Sequence, residues 1–378
     1  MNRYISFSPH RAGFVNVLMN LEVALSLSQI TGRTLIFPPN FWCFSVSKEY
    51  GKSHFIDIMK YFDREYIYSN FNCIDFYDVP EFSNLFSAIE KSETEKSLYS
   101  YTGNIHNCNL DLKNIIFQNE LDEPCLLSDS QCVLYCGDIK DERDFNKFVG
   151  RRTKKINLDL MEKFLHFEAN LYGTYWYSVY CGGDEERNRL KNKVNRALTY
   201  NQKFVDISRK VYDSIGLYNS IHVRRNDFIE DRNNYISDVS TSSKFSSIVR
   251  YFFRDDKPIY ISTDEKNLSF FDELKKYKTV YFFKDFYSSF DDLTDSIIEQ
   301  LVCFNSELFY GTHKSTFSKR INIMRGLDGK QACDSIGINQ LYSSRSHFDD
   351  PLPWTKNNLY WYWDSSSHPQ WTYESTTT

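Results

Sequence analysis

The chain has 378 residues, of which 41% are hydrophobic and 17% aromatic, and a formal net charge of −5. This composition excludes a disordered chain, the length allows two domains of ordinary size, and the acidic balance excludes a general nucleic-acid or anionic-membrane binder, which needs a basic face. Nine cysteines without a CxxC pair suggest neither a disulfide framework nor a zinc site.

The opening Met1-Asn-Arg-Tyr-Ile5 lacks the apolar core of a signal peptide, and no stretch approaches roughly 18 uninterrupted apolar residues. The expectation is a cytoplasmic protein with reduced thiols and no membrane insertion. A strand over 4–8 leads through Pro9 and Gly13 into a helical stretch with Val17, Leu18, Leu21, Ala24, Leu25 and Ile30 on one side. A second strand, Arg33 to Phe37, ends at Pro38-Pro39, because proline cannot donate to a ladder. This is a βαβ unit.

Residues 40–205 yield fewer elements: a strand at 132–136, polar stretches at 91–96 and 182–193, and a basic run, Arg151-Arg-Thr-Lys-Lys155, that reads as a solvated face. From 206 the pattern alternates. Strands are predicted at 220–223, 258–262, 279–283 and 307–310, and helices at 244–253, 268–277, 293–306 and from 316. Such alternation predicts a parallel, helix-covered sheet at each end of the chain, with a cleft between the two and a boundary near 200 to 215. The domains are then 1–205, 206–345 and an aromatic tail, 346–378, that packs back on the lobes.

Two motifs carry chemistry. The run Asn219 to Val223 ends in His222-Val-Arg-Arg-Asn-Asp227, which places two permanently charged, fork-shaped donors at the carboxyl end of a strand, where open α/β sheets bind ligands. Alone it would read as a surface salt-bridge cluster with Asp227. The second is Phe309-Tyr-Gly-Thr-His-Lys-Ser-Thr-Phe-Ser-Lys-Arg320, a strand feeding through Gly311 into hydroxyls at a helix start. Alone it would be an ordinary N-cap; in the same sheet as the arginines it becomes the second jaw of a diphosphate site. His10, His313 and His368 lack metal-ligand spacing.

These residues resemble the GDP-fucose protein O-fucosyltransferases, most nearly the type that modifies thrombospondin repeats. The resemblance lies in HxRRxDF at 222–228, Ser262-Thr-Asp264, Ile297-Ile-Glu-Gln300 and Phe309 to Ile321, with Gly13-Phe-Val-Asn16 and Gly32-Arg-Thr-Leu-Ile-Phe-Pro-Pro39 nearer the start. It covers roughly 110 residues of the second half and 30 of the first.

It implies an α/β GT-B fold of two Rossmann-like lobes, and inverting, metal-independent transfer of fucose from GDP-fucose to a hydroxyl of a glycan or glycoconjugate, with no cofactor. Arg224 matches the family's essential arginine on the β-phosphate, where a fixed cation stabilises charge growing on GDP. Gly13, Phe14, Asn16, His222, Arg225, Asp264, Ser315, Thr316 and Phe317 match donor contacts. Glu299 stands where relatives carry an aspartate facing guanine.

Ala12 departs from the pattern: the thrombospondin-type relatives carry a glutamate base there, and alanine takes no proton. Glu230 and Asp231, just past the arginines, are the alternative acids, set against a dissociative step that needs little base. The competing functions are the same fold with another nucleotide sugar, suggested by Glu299, and an inactive nucleotide- or glycan-binding relative, suggested by Ala12.

Overall fold

The computed structural model describes residues 2–7, 12–38, 41–44, 53–80, 125–126, 133–135, 153–155, 164–167, 179–180, 184–225, 241–312 and 315–330. Asp227, Glu230, Asp231 and the tail 346–378 lie outside them. Among the described residues, those up to Thr199 fall in one compact unit and those from Tyr200 in a second.

The first unit holds strands β1 (Tyr4–Phe7), β2 (Ala12–Gly13), β3 (Thr34–Phe37), β4 (Phe41–Phe44), β5 (Ser53–Ile56), β6 (Cys73–Asp75), β7 (Cys125–Leu126), β8 (Val133–Tyr135), β9 (Thr153–Lys155), β10 (Phe164–Phe167) and β11 (Val179–Tyr180). Its helices are α1 (Phe14–Thr31), α2 (Arg64–Asn70) and α3 (Asp184–Ala197). Five strands form a parallel sheet in the order β6-β3-β1-β10-β7. A second parallel sheet runs β11-β8-β9, and a third, β2-β4-β5, contains the antiparallel pair β4 and β5. Within the basic run, Thr153–Lys155 form β9, whose main chain pairs with β8.

The expected one-sided helix is α1, but both of its sides are buried: Val17, Leu18, Leu21 and Leu25, and also Asn20, Glu22 and Ser26. Local hydrogen bonds satisfy part of that polar inventory. Ser26 donates to the Glu22 carbonyl at 2.7 Å, and Ser28 to the Arg33 carbonyl at 2.8 Å. By length and composition α1 could cross a membrane, yet 78% of it is buried inside the fold, as a core helix requires.

The second unit alternates α4 (Gln202–Ile215), β12 (Asn219–Val223), α5 (Ser242–Phe252), β13 (Ile259–Thr263), α6 (Asp272–Lys275), β14 (Val280–Tyr281), α7 (Asp292–Asn305), β15 (Phe309–Tyr310) and α8 (Thr316–Leu327). The helix expected over 268–277 is shorter. Asn267 turns Leu268–Phe271 into a 3-10 turn by accepting from the Ser269 N–H, and only α6 continues it.

The sheet is parallel throughout, in the order β14-β13-β12-β15. Strands β12, β13 and β14 advance in one direction, and the chain then returns through α7 to place β15 on the other flank of β12. The strand order reverses between β12 and β15, and such a switch point is where open α/β sheets leave a crevice.

Period-2 alternation assigns the two faces of this sheet. Ile221, Val223, Ile259 and Ile261 join Phe245, Val249, Phe271 and Leu274 in one buried cluster beneath α5 and α6. Each such side chain contributes about 1.5 to 3 kcal/mol on full burial. The opposite face turns Tyr218, Ser220 and His222 toward α7 and α8: Tyr218 donates to the Val302 carbonyl at 2.5 Å, and Ser220 meets Ser306 at 2.6 Å. At its start α7 is capped by Asp291, which accepts from Leu293 and Thr294 N–H. Beyond its end, buried Arg325 donates to the carbonyls of Phe304, Ser306 and Glu307 at 2.7 to 2.9 Å.

Candidate active site

At the carboxyl end of β12 the main-chain ladder stops and side chains continue it on both flanks. The last β12–β15 pair is Ile221 with Tyr310, so Thr312 falls opposite Val223. Thr312 Oγ1 donates to the His222 carbonyl and accepts from the Arg224 N–H, both at 2.8 Å. Toward β13, Thr263 donates to the Val223 carbonyl and Asp264 Oδ1 accepts from the Arg225 N–H, both at 2.7 Å. The neighbouring main chains are released, while Arg224 and Arg225 stay fixed at the strand end.

The two arginines differ. The guanidinium of Arg225 forms a 2.7 Å ion pair with Glu265 and lies 3.5 Å from the Phe270 ring centroid. Burial lowers its pKa, and Glu265 and Asp264 oppose the shift. Arg224, partly exposed, follows the strand directly. Glu265 and Phe270 are contacts the sequence reading missed, since nothing in a local motif marks a cation's partners some forty residues away.

His222 anchors the helix start. Its Nδ1 lies 2.7 Å from Ser318 Oγ, and its ring stacks on Phe317 with centroids 4.3 Å apart. Burial, reinforced by the charge of Arg224, lowers its pKa from 6.5 to about 3, so the ring is neutral at physiological pH. Between pH 6.5 and about 3 the unfolded chain binds a proton that the native ring refuses, so stability is lost as pH falls through that window and is unaffected above it. The wild-type Tm is expected to fall more steeply over this range than that of His222→Asn; equal slopes would assign the acid sensitivity to other groups.

Ser315 is the N-cap residue of α8, and its hydroxyl makes no cap hydrogen bond. The first-turn N–H groups at Thr316 and Phe317 have no intrahelical acceptors by the geometry of any helix start. Gly311 makes the close approach possible: a Cβ there would lie 2.4 Å from Ser318 Cβ and Oγ. The second unit thus brings His222, Arg224, Arg225, Asp264, Ser315, Thr316 and Phe317 to one sheet edge. Glu299 lies on α7, partly buried, its charge acting on Tyr260 and Cys303.

In the first unit Gly13 is the N-cap residue of α1, and Phe14 packs against Tyr61 and Phe62 at 5.5 and 6.4 Å. Asn16 Oδ1 is buried without a hydrogen-bond partner. Cys43 and Cys73 have pKa values raised to about 12 by burial, and burial raises that of Cys303 as well, so these are unreactive thiols. Among the described residues no group of three or more His, Cys, Asp or Glu is placed to hold a metal.

A parallel α/β sheet whose switch point carries two arginines and a hydroxyl-rich helix start defines a class of protein with the chemistry to receive an anion such as a phosphate. The chain belongs to the GDP-fucose protein O-fucosyltransferase family, whose model matches residues 4–328. It is 28% identical over 199 residues to GDP-fucose protein O-fucosyltransferase 2 of Homo sapiens, an alignment covering 47% of this chain and 45% of that one. The chain therefore matches less than half the length of that relative. A structure of POFUT1 in complex with GDP-fucose superimposes with a TM-score of 0.47 at 10% identity, covering 86% of this chain and 95% of that one. A structure of NodZ alpha-1,6-fucosyltransferase soaked with GDP-fucose gives 0.43 at 13% identity, covering 85% and 92%.

Proposed function

We propose that the chain transfers L-fucose from GDP-fucose to a hydroxyl of a glycan or glycoconjugate, with inversion and without a metal, in a two-lobed GT-B arrangement whose carboxyl-terminal lobe binds the donor. The observation that carries this reading, beside family membership, is the joining of the Arg224 strand end to the α8 N-terminus through Thr312 and His222. A permanent cation and free helix N–H groups held together suit the two phosphates of a nucleoside diphosphate, and they stabilise the charge that grows on GDP as the sugar departs. Arg224, which stands at the position of the family's essential arginine, is assigned to the β-phosphate, and Arg225, held by Glu265, to a supporting place beside it. Glu299 accepts from the guanine N1–H and N2–H2 edge.

The test is a panel of nucleotide sugars without acceptor, read by thermal shift and slow donor hydrolysis. GDP-fucose is expected both to stabilise the protein and to be hydrolysed, with GDP binding more tightly than UDP and activity surviving EDTA. Equal binding of GDP and UDP would favour another nucleotide sugar; stabilisation with no turnover on any donor would favour a binding protein. Loss in chelator, restored by Mn²⁺ or Mg²⁺, would refute the metal-free mechanism.

With Ala12 in place of an acid, Glu230 is assigned as general base and Asp231 as the alternative. Glu230→Gln, or failing that Asp231→Asn, is expected to lower kcat by roughly 10²-fold while leaving GDP affinity unchanged. Full activity in both variants would leave a dissociative, base-independent step as the account.

A further inference from the structure

We infer that Thr312 is a positioning residue, the joint that holds Arg224 and the α8 N-terminus in one fixed geometry. The inference rests on the donor-site reading above and adds a residue to it. In a continued parallel ladder the main-chain N–H and carbonyl of Thr312 would bond the His222 carbonyl and the Arg224 N–H, two residues apart on β12. The chain instead turns at Gly311, and the Thr312 carbonyl accepts from the N–H of Ser315, the α8 N-cap residue, at 3.2 Å.

The Thr312 hydroxyl takes over both ladder bonds at 2.8 Å, donating to one group and accepting from the other. Only a hydroxyl can do both from one atom. One residue, 3% exposed, therefore ties the arginine-bearing strand end to the helix start. The Arg224 N–H bonds this hydroxyl where a ladder carbonyl would otherwise stand, so the strand end keeps its direction past the last main-chain pair.

Valine is isosteric with threonine but neither donates nor accepts, whereas serine keeps the hydroxyl. GDP affinity by calorimetry, and kcat and KM for GDP-fucose hydrolysis, are to be measured on wild type, Thr312→Val and Thr312→Ser, each also in an Arg224→Ala background. Thr312→Val is expected to bind GDP about tenfold more weakly and to turn over more slowly with its fold intact by circular dichroism, while Thr312→Ser stays within about twofold of wild type. In the Arg224→Ala background, the valine substitution is expected to add less than about twofold, since its effect passes through Arg224.

A valine variant equal to wild type, a serine variant as impaired as valine, or an undiminished valine effect without Arg224 would each overturn the assignment. Should the valine variant not fold, Thr312→Ala takes its place in the same comparison. A wild-type protein that binds no GDP would overturn the donor reading itself, and this role with it; a wild type that binds GDP beside an unimpaired valine variant would remove only the role of Thr312.

Discussion

Arg224→Lys is expected to keep a positive charge at the end of β12 and still lose roughly 10²- to 10³-fold in kcat, the usual cost of removing one preorganised donor from a site of developing charge. Lysine offers a compact, strongly hydrated ammonium on a flexible stem, whereas the guanidinium presents a planar fork that can hold two phosphate oxygens at once. The backbone of Arg224 is fixed by Thr312 and its neighbour by Asp264, so the substitution changes the head group without moving the strand end. Donor KM is expected to change less than kcat, because the charge on GDP is fully developed only as the glycosidic bond breaks. Near-normal turnover in the variant would transfer the catalytic cation to Arg225.

The second large effect is expected at Gly311. A methyl group there would sit 2.4 Å from Ser318 Cβ and Oγ, and 3.1 Å from the Phe309 ring, well inside normal contact. Ser318 cannot retreat cheaply, because it belongs to α8 and its hydroxyl meets His222 at 2.7 Å. Gly311→Ala therefore forces α8 away from the sheet, at about 1 to 3 kcal/mol or more for overpacking a tight core. The expected result is a lower Tm together with loss of GDP binding, as His222, Phe317 and the helix N-terminus lose their common register. A variant with wild-type GDP affinity would show that the helix start is not part of the nucleotide site.

The parallel sheet of the second unit was legible because each strand there is a short apolar run separated by helical spacing, and parallel strands are buried on both faces. Its trimmed elements were less so. The helix expected over 268–277 and the strand over 279–283 shrink to α6 and β14, where an Asx turn and packing override apolar periodicity. The middle of the chain yielded little: β7, β8 and β9 are two or three residues long, below the length at which alternation shows.

The site divides along the same line. His222, Arg224 and Ser315 to Phe317 stand in two compact motifs, and taken together these predict an anion site at a strand end and a helix start. Thr312, Ser318, Glu265 and Phe270 carry no such mark. Thr312 and Ser318 were inside a quoted motif, but that they meet β12 depends on β15 crossing to the far flank of that strand.

By itself the sequence determined the α/β class, because apolar alternation sets a helix-covered parallel sheet, and it placed guanidinium and hydroxyl groups in two motifs whose chemistry suits a phosphate. Only the tertiary structure decided which arginine is held by a carboxylate, which hydroxyl joins the two halves of the site, and why residue 311 has no side chain. The carboxylate depends on β12 lying beside β13, which brings Arg225 to Glu265 across about forty positions, and the joining hydroxyl depends on β12 lying beside β15, which brings residues about ninety positions apart within 3 Å; strand register, not any local pattern, decides both.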